Sequence, residues 1–130
     1  MGVRKVLLDT NILIDYLAGI AQARVEVERH AVPAISVITW IEVMAGATPD
    51  NEQTHRDFLS TFMVLPLTTE VAERSSQIRR HRTPKLKLPD TIILATAQLE
   101  NLLLVTRNSR DFSKKDRDIR IPYKLLAPSL

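Results

Sequence analysis

At 130 residues, 45% apolar and 25% charged, the chain has the make-up of one globular domain spanning 1–130, large enough to bury a core and too small for two domains. Its longest uncharged apolar runs fall far short of the roughly 20 residues a membrane helix needs, and the apolar stretch of MGVRKVLLDTN meets Asp9 too soon for a signal peptide, so a cytoplasmic protein is expected. With no cysteine, and with His30, His55 and His81 scattered, disulfides and thiolate sites are excluded and any metal must rest on oxygen.

Residues 3–8 (VRKVLL) read as a buried strand, after which Thr10 or Asn11 caps a helix carrying Ile12, Leu13, Tyr16 and Leu17 until Gly19 stops it. Ala21, Val25 and Val32 allow a second helix over about 20–30, against the strand-like alternation VEVE. Pro33 to Ser36 give a short strand, and Ser36 caps the apolar helix VITWIEVMA, which ends near Gly46. Asp50 is expected to cap a polar helix reaching about Phe62, and MVLPL makes the next strand. Thr68 or Thr69 opens the amphipathic helix TEVAERSSQIRRHR, whose cationic end suits the helix dipole.

TPKLKLP is a loop, Pro89 fits a first helical turn, and DTIILATAQLE is apolar nearly all round and therefore a buried helix, with Asn101 in its C-terminal turn. LLLV is a buried strand, RNSRDFSKKD a polar loop, and IRIP a last edge strand. Strand and helix alternate throughout, which predicts an α/β domain with a central, mainly parallel sheet.

Acidic and amide side chains recur where the chain turns: Asp9 after VLL, Glu42 inside an apolar helix, Asp90 opening another, and Asn108 with Asp111 after LLLV. In an open parallel sheet, ligands bind beyond the carboxyl ends of the strands. These positions can therefore converge, and converging carboxylates suit a hard divalent cation and phosphate chemistry. The formal charge is +3, and setting aside Asp9, Glu42, Asp90 and Asp111 leaves 11 acids against 18 bases. A basic body around an acidic pocket suits a polyanion that meets a metal.

Each position also has a plainer reading. Asp9 can be a turn or cap, Asp90 a first-turn acid favoured by the helix dipole, and Asn108 and Asp111 ordinary loop residues. Glu42, with Ile38, Ile41, Val43 and Ala45 as helical neighbours, is expected to be buried, held either by an arginine or by a metal.

Taken in order, LLDTNILIDYL, SVITWIEVMAG, LKLPDTIILATAQ and LLVTRNSRDF resemble a PIN-domain ribonuclease, most closely the VapC-type toxins of prokaryotic toxin-antitoxin modules, over nearly the whole chain. The resemblance implies a three-layer α/β/α PIN-like fold and an endoribonuclease dependent on Mg²⁺, with Mn²⁺ able to substitute. Its metal-binding acids would be Asp9, Glu42 and Asp90, with Asn108 at a fourth position that is often Asp in the family and Asp111 as the other claimant. It further implies an RNA substrate, a small antitoxin partner, a homodimer, and products ending in 5′-phosphate and 3′-hydroxyl. A cation held by the acids would activate a water in line with a phosphodiester.

Thr10, Asn11, Ser36, Thr39 and Thr106 are short polar side chains placed to support the acids, with capping the alternative for Ser36. Arg79, Arg80, Arg82, Lys85 and Lys87 lead into Asp90, while Arg107, Arg110, Lys114 and Lys115 surround Asp111; either run can be a solvated face or hold an RNA backbone. Trp40, Phe58 and Phe62 fit a core or interface better than a base-stacking platform. Asp15 reads as a solvated acid. Two rivals stand beside the nuclease: a PIN-like RNA-binding module that has lost catalysis, suggested by Asn108, and a haloacid-dehalogenase-type phosphatase. The phosphatase motif requires an aspartate where this chain has Asn11.

Overall fold

The structure is a computed structural model that describes residues 4–126; Val3, which opens the first predicted strand, lies outside them. Five short strands make the centre: β1 (Val6–Leu8), β2 (Ala34–Ser36), β3 (Met63–Leu65), β4 (Leu103–Val105) and β5 (Ile119–Arg120). They pair in the order β3-β2-β1-β4-β5, every neighbour parallel, with Leu8 level with Val105 and Leu7 level with both Ala34 and Leu104. The sheet is thus wholly parallel, as its continuous apolar strands require: both faces are covered, so no polar alternation survives in VLL or LLV.

The helices are α1 (Thr10–Leu17), α2 (Ala21–Glu28), α3 (Val37–Ala45), α4 (Glu52–Leu59), α5 (Thr69–His81) and α6 (Leu88–Leu99). Successive strand residues point to opposite faces. Val6, Leu8, Ile35 and Val105 meet Ile12 and Leu13 of α1, Val27 of α2, Val43 of α3 and Leu59 of α4. Leu7, Ala34, Leu104 and Ile119 meet Ile93, Leu94 and Ala97 of α6 on the other side, and α5 packs on α6 through Val71 against Ile92 and Ala95. Burying each large apolar side chain contributes about 1.5–3 kcal/mol, and truncating fully buried Leu8 or Leu104 to Ala would cost about 2–5 kcal/mol. Phe58 and Phe62 belong to the first core, edge to face at 5.0 Å, with Tyr16 stacked on Phe58 at 4.6 Å; Trp40 packs against it half-buried.

Local signals explain most boundaries. Gly19 adopts φ +83° just after α1, where a Cβ would be strained, and Asn101 takes the left-handed conformation (φ 53°) after α6. Ser36 caps α3 by accepting from the Ile38 N–H, and Thr68 caps α5 by accepting from Val71. Two expected caps are different. Asp9, and neither Thr10 nor Asn11, occupies the N-cap of α1, because the chain enters its helix one residue after the strand. Asp50 does not cap α4: Asn51 holds that position, and its side chain closes the preceding turn on the Thr48 N–H at 2.7 Å.

The order of strands positions the site. From β1 the chain moves outward to β2 and β3, then returns through α5 and α6 to β4 on the other side of β1. The strand order reverses between β1 and β4, and the crevice beyond their carboxyl ends is where such a sheet binds ligands.

Candidate active site

Asp9 leaves β1 at that crevice and is 4% exposed. One carboxylate oxygen accepts from the Thr10 N–H at 2.8 Å; the other accepts from the Thr106 hydroxyl at 2.7 Å and the Asn11 amide at 3.3 Å. Thr106, at the end of β4, also accepts from Asn11 and from the Asn108 N–H, while Asn11 accepts from the Arg107 N–H. These bonds tie the start of α1 to the turn after β4 and fix the Asp9 carboxylate in the mouth of the crevice.

Burial pushes the Asp9 carboxyl up to about 6; the Thr106 and Thr10 hydrogen bonds oppose this, and the charges of Asp90 and Glu42 reinforce it. Asp90, half-buried in the first turn of α6, is likewise raised, first by burial and then by Glu42 and Asp111, with Lys87 opposing. The four acids proposed from sequence therefore share one electrostatic neighbourhood. Among the described residues none of them is ion-paired. The other two buried acids are both paired: Asp15 with Arg107, and Glu26 with Arg120 and His30.

Glu42 is not buried. It lies on the exposed side of α3 beside Ile41, and Val43 and Thr39 supply the buried face. Neither an arginine nor burial accounts for it; its carboxylate reaches the Thr10 hydroxyl at 2.6 Å, and that hydroxyl lies 2.9 Å from the Thr39 hydroxyl. Thr10 and Thr39 thus link Glu42 to the residue next to Asp9. Ser36, at the end of β2, is buried as a cap.

Asn108 and Asp111 clasp each other. The Asn108 amide donates to the Asp111 carboxylate at 2.9 Å, and its oxygen accepts from the Asp111 N–H at 3.2 Å. In this arrangement the Asn108 oxygen is committed to the loop, and Asp111 is the member of the pair that carries charge toward Asp90.

Three of the cations expected to hold RNA are engaged elsewhere. Arg79 donates to the Leu86 carbonyl, Arg82 donates to the Asp111 carbonyl and lies over the Phe112 ring, and Arg107 makes a two-pronged pair with Asp15 at 2.6 and 3.1 Å. Arg80, Lys85, Lys87 and Arg110 stay exposed. Asp15 is the clearest reversal: read as a solvated acid, it is 4% exposed, because Arg107 from the turn after β4 and the Tyr123 hydroxyl, at 2.8 Å, close over it. The turn NIL-ID gave no sign of those distant partners. Nothing local in VEVE marks Glu26 either; Arg120 from β5 and His30 hold it, and its carboxyl falls to about 2.

The donor set is all oxygen, two buried or half-buried aspartates, an exposed glutamate and threonine hydroxyls, which is what Mg²⁺ or Mn²⁺ favours. Among the described residues no three such side chains stand gathered as a finished metal cage.

A family profile for the PIN domain matches residues 6–118, from the first strand residue to the eve of β5. The chain belongs to the PIN-domain family. Ribonuclease VapC10 of Mycobacterium tuberculosis is 32% identical over 109 residues, covering 79% of this chain and 82% of that protein. Ribonuclease VapC1 of Methanocaldococcus jannaschii is 30% identical over 114 residues, covering 85% and 80%. A toxin-antitoxin complex from Klebsiella pneumoniae contains a chain with TM-score 0.86 and 46% identity, covering 93% of this chain and all of that one. In this PIN domain, Asp9 directly follows β1, Glu42 lies past the middle of α3, Asp90 sits in the first turn of α6, and Asp111 belongs to the loop after β4.

Proposed function

We propose that this PIN domain is a divalent-metal-dependent endoribonuclease and the toxin of a toxin-antitoxin module. The observation that carries the reading is the contrast among buried acids: Asp15 and Glu26 have cationic partners, while Asp9 is buried against the like charges of Asp90 and Glu42 with none. An uncompensated buried carboxylate costs several kcal/mol. A bound Mg²⁺ or Mn²⁺ removes that cost, and the relatives named as ribonucleases support the substrate.

Asp9, Glu42 and Asp90 would hold the ion, with Asp111 adding negative charge and Asn108 keeping Asp111 in place. When bound, the ion supplies an acidified water and neutralises charge on the phosphate in flight. Thr106, Asn11 and the Thr10 N–H keep Asp9 aimed, and at neutral pH a carboxyl titrating near 6 is ionised and ready to ligate. Thr10 holds the exposed Glu42 carboxylate on the rim, from which it would turn inward to reach the ion. Lys87 is exposed and its charge acts on Asp90, so it would be available to a phosphate oxygen at the site. Water attack with the 3′ oxygen as the leaving group, taking up a proton, would leave a 5′-phosphate and a 3′-hydroxyl.

The complex from Klebsiella pneumoniae supports a small antitoxin as partner, and Leu67 and Leu88, exposed beside Ile92 on a groove of about 470 Å³, suit a second copy of the chain. No helix of the described residues is long and apolar enough to cross a membrane.

The test is cleavage of a generic single-stranded RNA with Mg²⁺. The account predicts products that disappear with EDTA and with Glu42→Gln. A protein that binds RNA and never cuts it is the impaired module instead, and one that hydrolyses only phosphomonoesters is the phosphatase.

A further inference from the structure

Beyond the acids, the loop joining β4 to β5 encloses a second concavity of about 360 Å³, near the lower end of the roughly 300–1,000 Å³ that ligand pockets span. Its floor is apolar, Phe112 and Ile121, and four cations line it: Arg110, Lys114 and Lys115 from the loop and Lys124 from the segment after β5. Asp111 is its sole acid, and that carboxylate already accepts from Asn108.

Two features separate this pocket from an ordinary solvated charge run. Among the described residues none of its four cations makes an ion pair or a side-chain hydrogen bond, whereas Arg79, Arg82 and Arg107 are all consumed by internal contacts. The loop that presents them is also held in shape: Arg82 grips the Asp111 carbonyl at 2.9 Å and covers Phe112 at 5.4 Å, the Phe112 N–H returns to Asn108, and Ser113 accepts from the Lys115 N–H. Cations carried on a held loop lose less backbone freedom on meeting an anion than those of a loose run do.

We propose that this pocket seats a backbone phosphate of the RNA strand next to the scissile bond, Asp111 forming the wall it shares with the acidic site. Four free cations around an apolar floor match a phosphodiester with its sugar, and the pocket continues directly from a residue whose charge acts on Asp90. The pocket rests on the ribonuclease reading for its occupant, but its test does not require cleavage. It would set the direction in which the strand leaves the metal and the length of RNA needed for full affinity.

The experiment measures binding of a fluorescein-labelled 12-nucleotide single-stranded RNA, without divalent ions, across a KCl series. Lys115→Ala/Lys124→Ala is compared with Lys5→Ala/Arg24→Ala, which removes the same charge from exposed positions away from the pocket. Each phosphate contact on a single strand adds about 0.7 to the slope of log K against log[salt]. The pocket variant should bind at least fivefold more weakly at 100 mM KCl and flatten the slope by about 0.7 or more, and the control should match the wild type. Equal affinity and slope for both variants would overturn the pocket, as would an RNA deficit in the control as large as in the pocket variant. Wild-type binding that follows this pattern without Mg²⁺-dependent cleavage would overturn the ribonuclease reading and leave the pocket standing.

Discussion

Removing the charge of Asp9 should make the metal-free protein more stable, and the size of the gain follows from its surroundings. Its carboxyl moves from an ordinary value of 3.8 to about 6 on folding, chiefly through burial. A raised acid binds its proton more tightly in the folded state, so its ionised form opposes folding: the cost is absent below about pH 4, grows between 4 and 6, and is complete above 6, where it amounts to about 3 kcal/mol. Asp9→Asn abolishes that cost. Its oxygen can still cap Thr10, but its amide now faces the Thr106 hydroxyl and the Asn11 amide, a loss of about 1 kcal/mol. The net gain near pH 7 is about 2 kcal/mol, and for a chain of this size each kcal/mol moves Tm by roughly 4 °C.

Thermal melts in EDTA should therefore place Asp9→Asn about 8 °C above wild type at pH 7 and level with it or lower at pH 4. Adding Mg²⁺ at about 100 times its Kd should raise wild type by about 2.7 kcal/mol and leave the variant unmoved. An Asp9→Asn protein that melts below wild type at pH 7 as well as at pH 4 would refute the reasoning, because Asp9 would then be a cap whose charge helps the fold.

Other perturbations have equally definite outcomes. Asp15→Ala leaves Arg107 and Tyr123 without their shared acceptor; as Arg107 is one-third exposed and regains water, the loss should be about 2–3 kcal/mol, or 8–12 °C in a melt. Glu26 has the opposite sign from Asp9: Arg120 and His30 outweigh its burial and lower its carboxyl from 4.5 to about 2, so its contribution is complete above pH 4.5 and vanishes as pH falls toward 2. Acid titration followed by circular dichroism should show Glu26→Gln converging with wild type only at the acid end. Asn108→Asp exchanges a donated hydrogen bond for a second carboxylate 2.9 Å from Asp111, so in EDTA it should lower stability by about 1–2 kcal/mol, or roughly 4–8 °C in Tm, and it should bind Mn²⁺ more tightly, as read by calorimetry.

The residue types at the strand ends carried most of what was legible. VLL and LLV are apolar on both faces, which marks a covered parallel sheet, and an acid directly after such a strand must lie at its carboxyl end; Asp9 and the Asn108–Asp111 turn could be placed on that ground alone. Pro89 and Asp90 announced a helix start for the same crevice. Glu42, expected to be buried, is exposed. Helix α3 is so apolar that its pattern does not say which side is buried, and the exposed Ile41 made the outer face look like core. Asp15 and Glu26 depend on Arg107, Tyr123 and Arg120, some 90 to 108 residues away, and no local pattern encodes a pairing of that range. The same distance separates the cations that are free from those that are used: Arg107 and Arg110 are alike in sequence, and only the fold gives one a buried acid.

The claim on which the account turns is that Asp9, Glu42 and Asp90 come together on one divalent ion. Anomalous diffraction at the manganese edge from wild-type crystals soaked in Mn²⁺ measures this directly. The account predicts a peak beyond the carboxyl ends of β1 and β4, within coordination distance of oxygens from all three residues and absent from Asp90→Asn. A peak held by other side chains, or none in that crevice at saturating Mn²⁺, would contradict it.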